Sequence, residues 1–296
     1  MKPTTLAIAA AALLSLCLAP AVARAEVKTE EIEYEHDGVT LLGYLAYDDA
    51  VEGKRPGVLV VHEWWGHNEY ARQRAEQLAE LGYVAFALDM YGKGVRAKDP
   101  KEAGKMAGAF RADRQLMRDR AAAGLAVLQG HELVDADRCA SIGYCFGGTV
   151  SLELARSGAN VAGVVSFHGG LGTPNPKDAA NIKGKVLVCH GSADTFISDE
   201  ELVAFRQEMH DAGVDWEMNV YGGAVHSFTN PAADKAGIPG VAYDERADRR
   251  SWEDMKDFFD EIFGSDNGGA TKDSAKADAK AGAKAGTSAG KKKSSK

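Results

Sequence analysis

The sequence predicts an α/β fold, a mostly parallel, doubly wound sheet led by an antiparallel hairpin. Three observations carry this. Strand-like runs alternate with helical stretches about every 25 residues, the rhythm of a layered α/β domain. Runs such as Val58-Leu59-Val60-Val61 and Val84-Ala85-Phe86-Ala87-Leu88 are continuously apolar, as strands covered on both faces must be. Only the first two segments, Glu31 to His36 and Val39 to Tyr47, alternate. They meet at Asp37-Gly38, a two-residue hairpin signal.

Each later element has its own signature. Pro56 to Val61 is the first covered strand. Tyr70 to Leu81 is a helix closed by Gly82, which accepts the left-handed conformation that ends helices. Tyr83 to Leu88 is the next strand. Pro100 to Leu128 is rich in Ala, Met and charge and reads as helical, with Gly104, Gly108 and Gly124 as expected break points. Ala140 to Ile142 is a short buried strand, and Thr149 to Ala155 a helix. Val161 to Phe167 and Lys185 to His190 are strands, the first followed by a loop from Gly169 to Asn181. Ser198-Asp199-Glu200-Glu201 is a capping box that opens a helix reaching about His210. Asp215 to Tyr221 is the last strand. Trp252, Met255, Phe258, Phe259 and Ile262 recur at helical spacing and give a final amphipathic helix. No separate cap domain is expected.

The chemistry centres on Gly143-Tyr144-Cys145-Phe146-Gly147, set between strand and helix. Gly-x-Cys-x-Gly is the nucleophile-elbow pattern with sulfur in place of the usual hydroxyl. A side chain presented on so sharp a turn needs neighbours two positions away with almost no side chain, and its own backbone is strained. The helix that starts next aims free N–H groups at the sulfur and favours the thiolate. Taken alone, the decapeptide also fits a buried structural cysteine.

Two further strand ends decide between these readings. Asp194 follows the 185–190 strand in Gly191-Ser192-Ala193-Asp194, and His226 follows the 215–221 strand in Ala224-Val225-His226-Ser227-Phe228. Nucleophile, acid, histidine is the chain order of α/β-hydrolases. His226 can take the Cys145 proton while Asp194 fixes the imidazole's tautomer and orientation. One Cys, one His and one Asp without a close-spaced ligand pair make a poor metal site. A third loop, His62-Glu63-Trp64-Trp65-Gly66, should face the elbow. The main-chain N–H groups of Trp64 and Phe146 are the expected oxyanion donors. Glu63 is an auxiliary acid/base, or else orders its loop through an ion pair. Trp64 and Trp65 wall the pocket or pack in the core. Tyr144, Phe228 and Asn230 complete the expected substrate pocket.

Gly-Tyr-Cys-Phe-Gly-Gly, His-Glu-Trp-Trp-Gly, Gly-Ser-Ala-Asp and Val-His-Ser-Phe together resemble the dienelactone hydrolase family, from about Val27 to Phe263. The resemblance implies a triad of Cys145, Asp194 and His226, with Glu63 holding the resting thiol neutral until substrate displaces it. It implies attack on an ester or lactone carbonyl, an acyl-thioenzyme cleared by water, and no cofactor. One departure stands out: Asn230 occupies the place, four residues after the histidine, where the namesake enzymes carry a substrate-clamping Arg. An amide cannot supply that bidentate clamp, so a small ester, lactone or thioester is preferred to dienelactone itself.

The two ends are expected to lie outside this domain. Lys2, the apolar run from Leu6 to Leu18, and Ala23-Arg24-Ala25 read as a cleavable secretory signal over 1–25, too short to span a bilayer. Leu16 before Cys17 is too bulky for lipidation. Residues 265–296 hold eight Lys against three Asp and almost no apolar side chains, which predicts disorder. The chain is −8 overall; setting aside the leader's Lys2 and Arg24 and the tail's net +5 leaves 26–264 at −15. An acidic body argues against nucleic acid as partner, while the basic tail suits weak contact with an anionic envelope surface. A monomer acting on a small molecule, secreted and periplasmic, is the reading; the alternative is a catalytically silent envelope-associated binding protein. Three cysteines would remain after cleavage. Cys139 and Cys189 sit in apolar strand-like runs and read as inert, with a bridge between them the lesser possibility. Cys145 is the thiol left over.

Overall fold

A computed structural model describes residues 26–264. The expected signal segment, 1–25, and the expected disordered tail, 265–296, lie outside the described residues. Eight strands form one sheet: β1 (Val27–His36), β2 (Val39–Asp48), β3 (Arg55–Val61), β4 (Val84–Leu88), β5 (Val134–Tyr144), β6 (Gly163–Phe167), β7 (Lys185–Gly191) and β8 (Trp216–Tyr221). Their spatial order is β1-β2-β4-β3-β5-β6-β7-β8. The hairpin pairs antiparallel over ten residues each, and β2 adds antiparallel to β4; every other neighbour is parallel. Asp37 and Gly38 both have positive φ, as a primed hairpin turn demands.

Six helices cover the sheet: α1 (Glu69–Glu80), α2 (Pro100–Ala112), α3 (Arg114–Gln129), α4 (Phe146–Arg156), α5 (Asp199–Ala212) and α6 (Glu245–Phe263). Residues of α1 and α6 share one core with one face of the sheet, and those of α2 to α5 share the other with the opposite face. Most helix starts have a chemical cause in a side-chain cap. Asn68, Asp99, Ser198 and Asp244 accept hydrogen bonds from the first turns of α1, α2, α5 and α6.

The 100–128 region does not break at its glycines. It breaks at Asp113, whose carboxylate caps α3 by accepting from Leu116 N–H at 2.9 Å. Gly124 lies inside α3 because the helix presses on β4: a Cβ there would lie 2.9 Å from Leu88 Cβ. The strand before the elbow is also longer than the apolar run suggested, since Asp135 to Arg138 belong to β5. A register shift between Pro56 and Gly57 of β3 accommodates that extra length.

Candidate active site

Cys145 sits between β5 and α4 with φ +55° and ψ −113°, a conformation that costs an L-residue energy and persists only where its surroundings dictate it. The flanking glycines show what dictates it. A Cβ on Gly143 would lie 1.9 Å from the Gly147 carbonyl oxygen, and one on Gly147 would lie 2.2 Å from the Val61 carbonyl oxygen. The turn is therefore wedged against the end of β3. Among the described residues, three of the four non-glycine residues with positive φ, Cys145, His168 and Ser227, belong to this site; the fourth is in the hairpin.

The carboxyl ends of β7 and β8 bring the other groups in. His226 Nε2 lies 3.0 Å from Cys145 Sγ, and its Nδ1 lies 2.8 Å from Asp194 Oδ2. The other Asp194 oxygen accepts from Phe196 N–H at 2.9 Å, which fixes the carboxylate's direction. The His226 loop is pinned by main-chain bonds from His226 N–H to Gly240 O and from Ala242 N–H to His226 O. All three side chains are nearly buried, with Cys145 8 %, His226 8 % and Asp194 5 % exposed. Burial alone would lower the His226 pKa. The charge of Cys145 and the bond to Asp194 outweigh it and raise the value to about 10. The geometry thus favours a protonated imidazole at His226.

Glu63 lies in the turn after β3, fully enclosed. Burial pushes its carboxyl upward, partly offset by hydrogen bonds. Those bonds come from Ser227 Oγ at 3.0 Å and Asn230 Nδ2 at 2.7 Å. The arrangement implied by resemblance, with Glu63 holding the thiol, is therefore not the one seen. Both carboxylate oxygens are engaged by the histidine loop, and the thiol faces His226. Nor does an ion pair order the Glu63 loop; neutral donors hold the carboxylate.

A cavity of about 910 Å³ opens above the thiol, and Glu63, Trp64, Trp65, Phe196, His226 and Asn230 are among its lining residues. Trp64 and Trp65 meet edge to face with ring centroids 5.2 Å apart. Tyr144 and Phe228, expected in the pocket, are core residues. Successive strand side chains point to opposite faces, and Tyr144 falls on the α1/α6 side, stacked on Phe167 at 4.8 Å and edge-on to Tyr70 at 5.2 Å. Phe228 is buried in the same core against Tyr221 and His168. Phe146 opens α4 with its ring buried among His62, Tyr91 and Phe110, so its side chain does not line the cavity. Cys139 and Cys189 are buried free thiols on β5 and β7, with β6 between them. Burial raises both, Cys139 to about 11.

Sequence reasoning missed Ser227, Phe196 and His168. Each directly follows or lies two residues beyond a position already singled out or a strand end. The signal available was that loops at the carboxyl ends of parallel strands converge. Among the described residues, no cluster of His, Cys, Asp and Glu is placed to hold a metal ion, and no helix is long and apolar enough to cross a membrane.

A sheet of this order, carrying a strained nucleophile turn after its central strand and the acid and histidine on later strand ends, is an α/β-hydrolase. Comparison with known proteins narrows the class. The sequence profile of the Dienelactone hydrolase family matches residues 41–263. The solved structure titled m3DLH is 44 % identical with TM-score 0.78, covering 80 % of this chain and 99 % of that one. A dienelactone hydrolase-like promiscuous phosphotriesterase from metagenomic libraries is 41 % identical with the same TM-score and the same coverage. A relative from Aquifex aeolicus named as a carboxymethylenebutenolidase is 28 % identical over 232 residues, 77 % of this chain and 96 % of its own length. The chain belongs to the dienelactone hydrolase family and is a carboxylic ester hydrolase.

Proposed function

We propose that the protein hydrolyses small carboxylic esters or lactones through Cys145, His226 and Asp194. The observation that carries this is the chain of contacts Sγ to Nε2 at 3.0 Å and Nδ1 to Oδ2 at 2.8 Å. The thiolate attacks the substrate carbonyl, forming a C–S bond and a tetrahedral oxyanion. The N–H groups of Trp64 and Phe146 stabilise that oxyanion. The imidazolium gives its proton to the leaving oxygen as the C–O bond breaks, leaving an acyl-thioenzyme. Neutral His226 then takes a proton from water, whose oxygen attacks the thioester. Collapse releases the acid and returns the imidazolium–thiolate pair. Asp194 holds the ring throughout. Glu63, held by Ser227 and Asn230, stands beside this centre and orders the histidine loop.

Turnover of p-nitrophenyl acetate by purified protein, beside Cys145→Ala and His226→Ala, tests the assignment; equal rates in all three reject it. A panel of esters, lactones and thioesters then ranks substrates. With Asn230 in place of a clamping Arg, dienelactone is expected to rank low. A phosphotriester belongs in the panel because a 41 % identical protein of known structure is named a promiscuous phosphotriesterase. Rapid labelling of Cys145 by iodoacetamide, slowed by substrate analogues, separates the enzyme from a silent binding protein. The reading includes export to the periplasm, supported by the leader pattern in residues 1–25, with the Lys-rich 265–296 segment resting on an anionic surface.

A further inference from the structure

His168 directly follows β6 and is fully buried, yet the reaction steps above give it no role. Its two ring nitrogens face the two halves of the site. Nδ1 accepts from the main-chain N–H of Cys145 at 3.1 Å, an N–H shared with the Phe167 carbonyl at 3.0 Å. Nε2 lies 2.7 Å from Thr229 Oγ1, three residues beyond His226. The ring also packs edge to face on His226, with centroids 5.3 Å apart.

These contacts fix the tautomer. A backbone N–H can only donate, so Nδ1 carries the lone pair and Nε2 the proton. Thr229 Oγ1 therefore accepts from His168 and donates to Tyr70 Oη at 2.7 Å. Tyr70 donates to the Thr229 carbonyl at 3.2 Å and accepts from Arg74 Nε at 3.2 Å. Arg74 also donates to the Thr229 carbonyl at 2.7 Å and to Asp248 at 2.5 Å. Every proton in the chain has one consistent direction. Burial, then the charges of His226 and Arg74, drive the His168 pKa well down and keep the ring neutral. A protonated ring would set an N–H against the N–H of Cys145.

We infer that His168 is a neutral positioning strut that ties the nucleophile's strained main chain to the loop bearing His226 and so sets the Sγ–Nε2 separation. This rests on the hydrolase reading for its catalytic consequence but not for its effect on the thiol. The strut and the turn it ties down both lie in left-handed or strained backbone, Cys145 at φ +55° and His168 itself at φ +41°. Such segments hold only when cross-ties over-determine them.

The test is iodoacetamide alkylation of Cys145 across pH, mapped by mass spectrometry, in wild type, Thr229→Val, His168→Phe and Thr229→Ser. Valine keeps the threonine's shape without its hydroxyl, phenylalanine keeps a ring without its nitrogens, and serine restores the acceptor. In folded Thr229→Val and His168→Phe the alkylation rate at neutral pH is expected to fall at least about tenfold, as small misplacements of reacting groups do. The midpoint should move up by about half a unit or more, because a loosened pair stabilises the thiolate less. Thr229→Ser should recover most of both. In ester turnover, kcat should fall while KM stays within about twofold. The charged and titratable groups facing the pair are Asp194 and His190 from β7, Glu63 after β3, Tyr91 after β4, Arg74 from α1 and His168 itself. The Thr229 substitutions alter none of them, so the shift reads the strut.

Folded variants that label like wild type and lose only melting temperature would overturn the strut. Should either variant not fold, the other carries the measurement, with Thr229→Ala in reserve. If wild type turns over no ester yet the labelling shift appears, the hydrolase reading falls and the strut stands. If wild type turns over ester and labelling does not shift, the strut alone falls.

Discussion

Asn230 donates to Glu63 through Nδ2 at 2.7 Å, and with Ser227 on the other oxygen this fastens a buried carboxylate to the loop that carries His226. The residue at the position of the missing arginine thus has an inward partner. It holds Glu63 off the thiol, and Cys145 is left to His226. The elbow, the β3 turn and the histidine loop thereby form one connected unit rather than three adjacent loops.

Removing the Asn230 amide should be costly, and more so at higher pH. Burial already raises Glu63, and the two donors favour its ionised form. In Asn230→Leu the carboxyl rises further, so folding increasingly favours the protonated acid. An acid raised above its unfolded value loses stability as pH climbs through the folded value. Chemical denaturation at about pH 5 and pH 8 should show a loss of about 1–3 kcal/mol, the larger at the higher pH. A penalty equal at both pH values contradicts the assignment of Glu63 as the titrating group.

Asp194→Asn should fold and fail to turn over substrate well. An amide at Nδ1 no longer stabilises the imidazolium and admits the wrong tautomer. A fall in kcat on the order of 10³–10⁴ with little change in KM is expected from steady-state kinetics on p-nitrophenyl acetate. A loss under about fivefold would mean that Asp194 only braces its own turn.

The raised His226 should leave its mark on stability. His226 is raised from 6.5 to about 10. A base raised on folding contributes fully below its unfolded value and loses that contribution as pH rises through its folded value. The melting-temperature advantage of wild type over His226→Gln should accordingly shrink between about pH 6.5 and pH 10. Calorimetry that finds the advantage growing across this window would reverse the assigned charge state.

Gly147→Ala should not yield folded protein, because its Cβ would sit 2.2 Å from the Val61 carbonyl oxygen on a backbone that cannot retreat. A penalty of about 4 kcal/mol or more is expected. Gly108→Ala in α2, where a Cβ meets nothing within 4 Å, should instead raise stability by about 0.5–1 kcal/mol. Thermal unfolding of the two variants reads both signs.

The fold and the meeting of Cys145, His226 and Asp194 were legible because their causes are local or repeat along the chain. Continuous apolar runs set covered strands, Asp37-Gly38 set the hairpin, and Gly143 and Gly147 announced a turn that only a presented side chain explains. Chain order placed Asp194 and His226 at later strand ends, and parallel strands bring such ends together. Helix boundaries were less legible where a glycine serves packing instead of termination, as Gly124 does against Leu88. What tertiary structure alone decided is which way each side chain at those ends turns. Tyr144 went to the core by strand parity, and Phe228 because the α1/α6 layer claimed it. Glu63 went to Asn230 and Ser227, and His168 to Cys145 and Thr229, because those partners lie far apart in sequence and meet only when strands stack. Sequence periodicity records which face of its own element a residue occupies, and it carries no information about which distant donor will be waiting there.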